Sequence, residues 1–273
     1  MDRHNKIMND YDFVRLKEIA SYYAGIKLYD TKREQISHQL RKRMGDLNFL
    51  QFYDYIEFIN RNLDERNYFI NLITNLRTDF FRDAYQFETL EKELINIIKN
   101  KGRIRIWSAG CSTGEEAYSI AITVFEALKG YIDPNVYDIK ILATDVNTKA
   151  LEIAKQGIYE NEKIEKLGTR KKWFHSFTHN EISYVKVDNQ LNSMISFRYL
   201  NLLGHWPMKG LFDVIFFRNV SLYLTDEATH DILEKFDNYL KINGLIFIGF
   251  SENIGGLSGK YISLQNKVFR KIK

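Results

Sequence analysis

Apolar positions recur at helical spacing through the first part of the chain. Across residues 31–47 they fall at Ile36, Leu40, Met44 and Leu47, three or four apart, so that they line one face of a helix. Phe52, Tyr53, Ile56 and Ile59 do the same within residues 49–62. Nothing here alternates as a strand would, and a small all-helical domain is expected over residues 1–76. A further helical stretch at 87–99 carries Leu90, Leu94, Ile97 and Ile98 and stops at Asn100-Lys101-Gly102.

From Arg103 onward the pattern changes. Short apolar runs at 103–107, 139–143, 195–199, 212–217 and 245–250 alternate with helical segments at 115–128, 148–156 and 226–240. Strand-helix alternation predicts a mostly parallel sheet covered by helices on both faces. Residues 168–202 interrupt the rhythm. Tyr184-Val185-Lys186-Val187, a polar turn, then Ile195-Ser196-Phe197 read as a small antiparallel excursion. At the end, 261–264 and 267–270 flank Gln265-Asn266 as a hairpin.

Composition narrows the class. The 273 residues suffice for two domains, and at 45% apolar they can bury a core without staples. The single cysteine, Cys111, excludes an intramolecular disulfide framework and a cysteine-built zinc site. No apolar run reaches membrane-spanning length, and the first residues show no apolar signal stretch, so a cytoplasmic protein without membrane insertion is expected. The net charge of +4 is too mild to indicate nucleic acid. The charge is concentrated, however: between Ser21 and Arg43 stand six basic residues and two acidic ones. That local excess favours an acidic partner. His175 and His179 lie four apart with no third metal ligand near them in sequence, and no metal is expected.

Candidate chemistry gathers where strands meet helices. In Ser108-Ala109-Gly110-Cys111-Ser112-Thr113-Gly114-Glu115-Glu116 a strand passes through small residues into a helix. Gly110 and Gly114 let a ligand approach the backbone, and Ser112 or Thr113 is placed to cap the helix. Two acids at the helix start disfavour a pyrophosphate and tolerate a ligand with a cationic end. Asp145 ends the second strand, where an acid commonly receives a ribose diol, although it, Asn147 or Thr148 could also cap the next helix. Thr78-Asp79-Phe80-Phe81-Arg82 reads, by spacing alone, as packing beside a surface charge. Arg218 and Asn219 follow the apolar run ending at Phe217 and are expected at the crevice.

Together these elements resemble the CheR family, the S-adenosylmethionine-dependent chemotaxis receptor glutamate methyltransferases. T-x-F-F-R matches at Thr78–Arg82, W-S-A-x-x-S-T-G-E-E-x-Y-S at Trp107–Ser119, R-N-V-x-x-Y at Arg218–Tyr223 and S-E-N at Ser251–Asn253. The resemblance covers almost the whole chain. It implies an α/β protein: a small helical domain (1–76) before a Rossmann-like class I methyltransferase domain (77–273). The sheet would be mostly parallel with an antiparallel last strand, and a small antiparallel β-subdomain would be inserted at about 168–194.

Residue roles carry over by motif. Asn75, Thr78 and Arg82 would meet the methionine end of the cofactor, Glu116 its amino group and Asp145 the ribose. Gly110 would lie against the cofactor. Asn201, Leu202, Phe217 and Arg218 would border the adenine. Arg82 and Tyr223 would be catalytic, with Tyr223 near the transferred methyl. The product would be S-adenosylhomocysteine. Methyl-accepting chemotaxis receptors would be the partners, their glutamate-rich helices met by Arg33, Arg41, Lys42 and Arg43 projecting from the basic helix. The chain departs from the family pattern at Leu76, where the family has asparagine and this chain has Asn75 one position early, and at Phe250, where the family has histidine. Two other readings share the fold: a methyltransferase with a different acceptor, and a non-catalytic cofactor-sensing module that docks on receptors.

Overall fold

The N-terminal helices begin and end where the sequence supplies caps. A computed structural model describes residues 7–74, 77–129 and 138–273. α1 (Asp10–Ala24) opens with a capping box in which the Asn9 and Asp12 side chains each accept the other's backbone N–H, and Gly25 closes it at φ +67°. α2 (Arg33–Asp46) follows a short 3₁₀ turn at Asp30–Lys32; α3 (Phe52–Arg61) and α4 (Leu63–Ile73) complete the unit. Leu16, Leu40, Met44, Tyr55, Ile56 and Phe69 are fully buried together, so the predicted apolar stripes meet in one core, except that Tyr53 is exposed and Tyr55 takes the inward place.

α5 (Ala84–Lys101) leads into the second unit and stops at Gly102. The chain then runs β1 (Arg103–Ala109), α6 (Glu115–Leu128), β2 (Asp138–Asp145), α7 (Thr148–Gln156), β3 (Ile158–Glu160), β4 (Phe174–His179) and β5 (Ile182–Val187). α8 (Asn189–Met194), β6 (Ile195–Tyr199), β7 (Phe212–Phe217), α9 (Asp226–Tyr239), β8 (Leu240–Ile248), β9 (Tyr261–Ser263) and β10 (Val268–Lys271) follow. The main sheet has the order β6-β2-β1-β7-β8-β10-β9. Its first five strands are parallel, and β10 is antiparallel to both neighbours. Alternation sends Ile106 and Phe216 to the face covered by α5 and α6, and Trp107 and Phe217 to the face covered by α9.

The small sheet differs from the expectation in its pairing. β5 lies between β3 and β4, antiparallel to both. Residues 195–199 instead run parallel to β2 at the edge of the main sheet. A polar segment between two apolar runs looks like a hairpin turn in sequence; here α8 occupies it and carries the chain from one sheet to the other.

Strand order reverses between β1 and β7, which opens a crevice beyond their carboxyl ends. The helical unit closes over it. The Lys27 N–H donates to the Tyr223 carbonyl at 2.8 Å and the Thr225 N–H to the Gly25 carbonyl at 2.9 Å. The Asn201 amide donates to the Tyr23 carbonyl, and the Asn147 amide reaches both the Asn71 carbonyl and the Thr74 hydroxyl. No helix among the described residues is long and apolar enough to cross a membrane.

Candidate active site

The crevice is a cleft walled by the turns after β1, β2 and β7, the 77–82 segment and the end of α1. After β1, the Gly110 and Cys111 N–H groups both donate to the Thr144 carbonyl, at 2.8 and 2.9 Å, tying this turn to the end of β2. Gly110 has φ +90°, and a Cβ there would lie 2.3 Å from Val220 Cγ2. The turn after β1 can therefore pass the turn after β7 only as glycine. Gly114 caps α6 without any side-chain hydrogen bond. The expected cap by Ser112 or Thr113 does not form: the Thr113 hydroxyl donates to Glu115, and the Ser112 N–H donates to Asp145.

The two acids at the start of α6 part company. Glu115 is buried away from the cleft, between Thr113 and Lys163. Glu116 lines the cleft; it accepts from the Ser108 hydroxyl at 2.7 Å and faces the Arg218 guanidinium at 3.7 Å. Burial raises the Glu116 carboxyl, against the opposing pull of Arg218 and Ser108. Asp145 accepts the Ser112 N–H on one oxygen and the Asn147 N–H on the other, both at 2.8 Å. Burial raises it too, against these backbone donors. Asn147, not Asp145, caps α7. Burial also pushes the Cys111 thiol well up, so it packs as a neutral group.

Phe80 and Phe81 explain how Thr78 and Arg82 reach the cleft. Both rings are buried, Phe80 edge-on to Tyr159 and Phe174, and the Phe81 N–H donates to the Ser119 hydroxyl. Phe81 and Asp83 hold positive φ, 53° and 60°. With the turn anchored in this way, Thr78 and the exposed Arg82 are left on the cleft wall. Gly110, Glu116, Asp145, Asn201, Leu202, Arg218 and Tyr223 join them there.

Three expected site residues stand elsewhere. Phe217 is not on the cleft wall: strand alternation turns its ring onto Phe236 of α9. Asn75 lies outside the described residues. Arg33 anchors the start of α1, bonding Asp10 and the Met8 carbonyl. Arg43 makes a two-pronged ion pair with Glu65, which is buried and also accepts the Tyr55 hydroxyl. Burial alone would raise the Glu65 carboxyl; Arg43 and Tyr55 outweigh it and hold it low. These two arginines thus belong to the helical unit's own structure and do not project from it as a basic face. Arg41 and Lys42 are exposed.

Sequence reasoning gave Glu252 no role, although it lies in the S-E-N match. It is buried and accepts four hydrogen bonds, three from the turn after β7 and one from the Gly249 N–H just after β8. Asn147 is one of the expected cap candidates, but the grip of its side chain on the Asn71 carbonyl of α4 is not foreseen in the sequence.

The model of the CheR methyltransferase all-α domain matches residues 11–74, and that of the CheR methyltransferase S-adenosylmethionine-binding domain matches residues 76–269. The chain belongs to the CheR methyltransferase family. It is 37% identical to a probable chemotaxis protein methyltransferase of Rhizobium etli, over 85% of this chain and 89% of that one. Chemotaxis protein methyltransferase 2 of Pseudomonas aeruginosa is 36% identical, over 89% and 86% of the two chains. The chemotaxis protein methyltransferase of Escherichia coli is 34% identical, over 93% and 88%. This CheR family member is accordingly an S-adenosylmethionine-dependent methyltransferase.

Proposed function

We propose that this chain acts in the cytoplasm, methylating glutamate side chains of chemotaxis receptors with S-adenosylmethionine and releasing S-adenosylhomocysteine. Residues 1–76 would form the helical unit, and 77–273 the methyltransferase unit with its insertion at about 168–194. The observation that carries the reading is the meeting, in one cleft, of two carboxylates raised by burial with the rim guanidinium of Arg82.

That donor set fits the cofactor. Each Asp145 oxygen already takes one backbone N–H and keeps a lone pair for a ribose hydroxyl. Glu116 suits an ammonium group and Arg82 a carboxylate, with Thr78 on the same wall. Leu202 and Asn201 offer an apolar and a polar edge for adenine; Arg218, expected beside it, stands instead against Glu116, Asp83 and the Arg82 carbonyl. Ser112 Oγ and Arg218 Nε are buried without a hydrogen-bond partner among the described residues, and both side chains line the cleft. Polar capacity for a ligand is therefore left over.

When bound, S-adenosylmethionine supplies an electrophilic methyl group; a glutamate oxygen bonds to it as the C–S electron pair leaves on sulfur. Glutamate is ionised at neutral pH, so no general base is required. The protein's task is alignment and exclusion of water. Tyr223 would donate a hydrogen bond to the acceptor carboxylate, and Arg82 would orient the charged groups. Arg41 and Lys42 would greet acidic receptor helices. Incubation with methyl-labelled S-adenosylmethionine and purified receptor cytoplasmic domains tests this. Label released by mild base supports it; base-stable label indicates another acceptor; cofactor binding without transfer indicates a non-catalytic module.

A further inference from the structure

The turn after β7 carries the residue assigned to the acceptor side, and its conformation is unusual. Asn219 sits at φ +58°, a left-handed conformation uncommon outside glycine. Val220 packs against Gly110, and Ser221–Tyr223 then form a 3₁₀ turn that delivers Tyr223 to the cleft. The far end of the turn is tied to the helical unit by the Lys27 N–H, which donates to the Tyr223 carbonyl, and its start is held by one carboxylate. Glu252 is 4% exposed. One of its oxygens accepts the Asn219 N–H at 2.8 Å and the Gly249 N–H; the other accepts the Ser221 N–H at 2.9 Å and the Ser221 hydroxyl at 2.8 Å. Four donors converge on the two oxygens of this one side chain.

We propose that Glu252 is a positioning residue for methyl transfer, acting through the Asn219–Tyr223 turn to set the acceptor side of the cleft. This rests on the reading of Tyr223 as the residue beside the acceptor. The acids assigned to the cofactor are held by other groups: Glu116 by Ser108, Asp145 by the Ser112 and Asn147 backbone. Arg218 is pinned independently by the Arg82 carbonyl and Asp83. A change at Glu252 therefore acts first on the acceptor wall; it reaches the cofactor cradle only through the Val220 contact with Gly110 and through its charge on Glu116.

Glu252→Gln keeps the shape but puts an NH₂ group against N–H donors, so part of the turn loses its anchor. Misplacement of a reacting group by about 1 Å costs roughly 100-fold, so the variant's kcat for receptor methylation should fall by roughly 10- to 100-fold. Its affinity for S-adenosylhomocysteine, measured by calorimetry, should stay within about twofold of the parent, since the hydrogen bonds that hold Glu116 and Asp145 are left in place. Unchanged kcat in the folded variant overturns the proposal. So does an equal loss of cofactor affinity, which would make Glu252 part of the cradle or of general stability. If Glu252→Gln does not fold, Ser221→Ala decides: it removes one of the four donors and should show the same split on a smaller scale, and unchanged kcat there overturns the proposal. A parent protein that binds the cofactor but methylates no receptor domain sinks the functional reading itself, and this proposal with it.

Discussion

Replacing Asp145 by alanine separates the structural from the ligand-binding work of one carboxylate. In the free protein its two oxygens hold the N–H groups of Ser112 and Asn147, which locks the turn after β1 to the turn after β2. Ser112 borders the cleft, so water can replace its lost acceptor, but Asn147 is buried and its N–H is left without one. The net cost is about 1 kcal/mol for the first bond and about 1–3 kcal/mol for the second, about 2–4 kcal/mol in all. For a protein of this size that lowers Tm by about 4–16 °C. The ribose contact adds a separate loss seen only in binding. Charge-assisted hydrogen bonds to a diol are worth about 1.5–3 kcal/mol, which weakens the cofactor about 10- to 150-fold. Thermal unfolding reads the first number and calorimetry with S-adenosylhomocysteine the second. Asp145→Asn, which keeps one acceptor oxygen, should fall between parent and alanine variant on both. A folded Asp145→Ala protein with the parent's Kd would refute the ribose assignment, whatever its Tm.

Arg43→Ala should destabilise the helical unit by about 2–3 kcal/mol; the usual 3–5 for stranding a buried charge is discounted because Arg43 is 30% exposed, and denaturant unfolding measures it. The Glu65 carboxyl is held low, so its contribution is present above its unfolded value and is lost as pH falls through the folded one; the parent's acid unfolding should show that loss and the variant's should not. Glu116 and Asp145 are raised, so the sign reverses: free-protein stability drops as pH climbs from the ordinary carboxylate range through the raised values. Cofactor affinity should rise over that same interval, because the ammonium and diol favour ionised acids, and calorimetry across the acid-to-neutral range checks it. Arg41→Glu with Lys42→Glu should slow methylation of receptor protein at low salt and leave cofactor affinity unchanged; equal rates would make these residues a solubilising surface.

Much of the architecture was legible because period separates strand from helix. The spans expected for α6 and α7 coincide with those observed, and the five parallel strands of the main sheet lie at the expected runs. Faces and partners were less legible. Phe216 and Phe217 are both apolar, and only the observed register shows which ring meets α5 and which meets α9. Arg43 flanks a clear apolar stripe and looks solvent-bound until Glu65, far along the chain on another helix, folds against it. Glu252 gives no local sign of its task, because three of the four groups it accepts are backbone N–H donors whose identity no side chain reveals.

The most direct measurement maps the methyl group on the acceptor. The protein is incubated with methyl-labelled S-adenosylmethionine and a receptor cytoplasmic domain, and the product peptides are sequenced by mass spectrometry. Label on glutamate side chains as a base-labile ester, abolished when those glutamates are changed to glutamine, is the predicted result. Label that persists after those changes, or that sits on nitrogen, would contradict carboxylate methylation as the activity of this cleft.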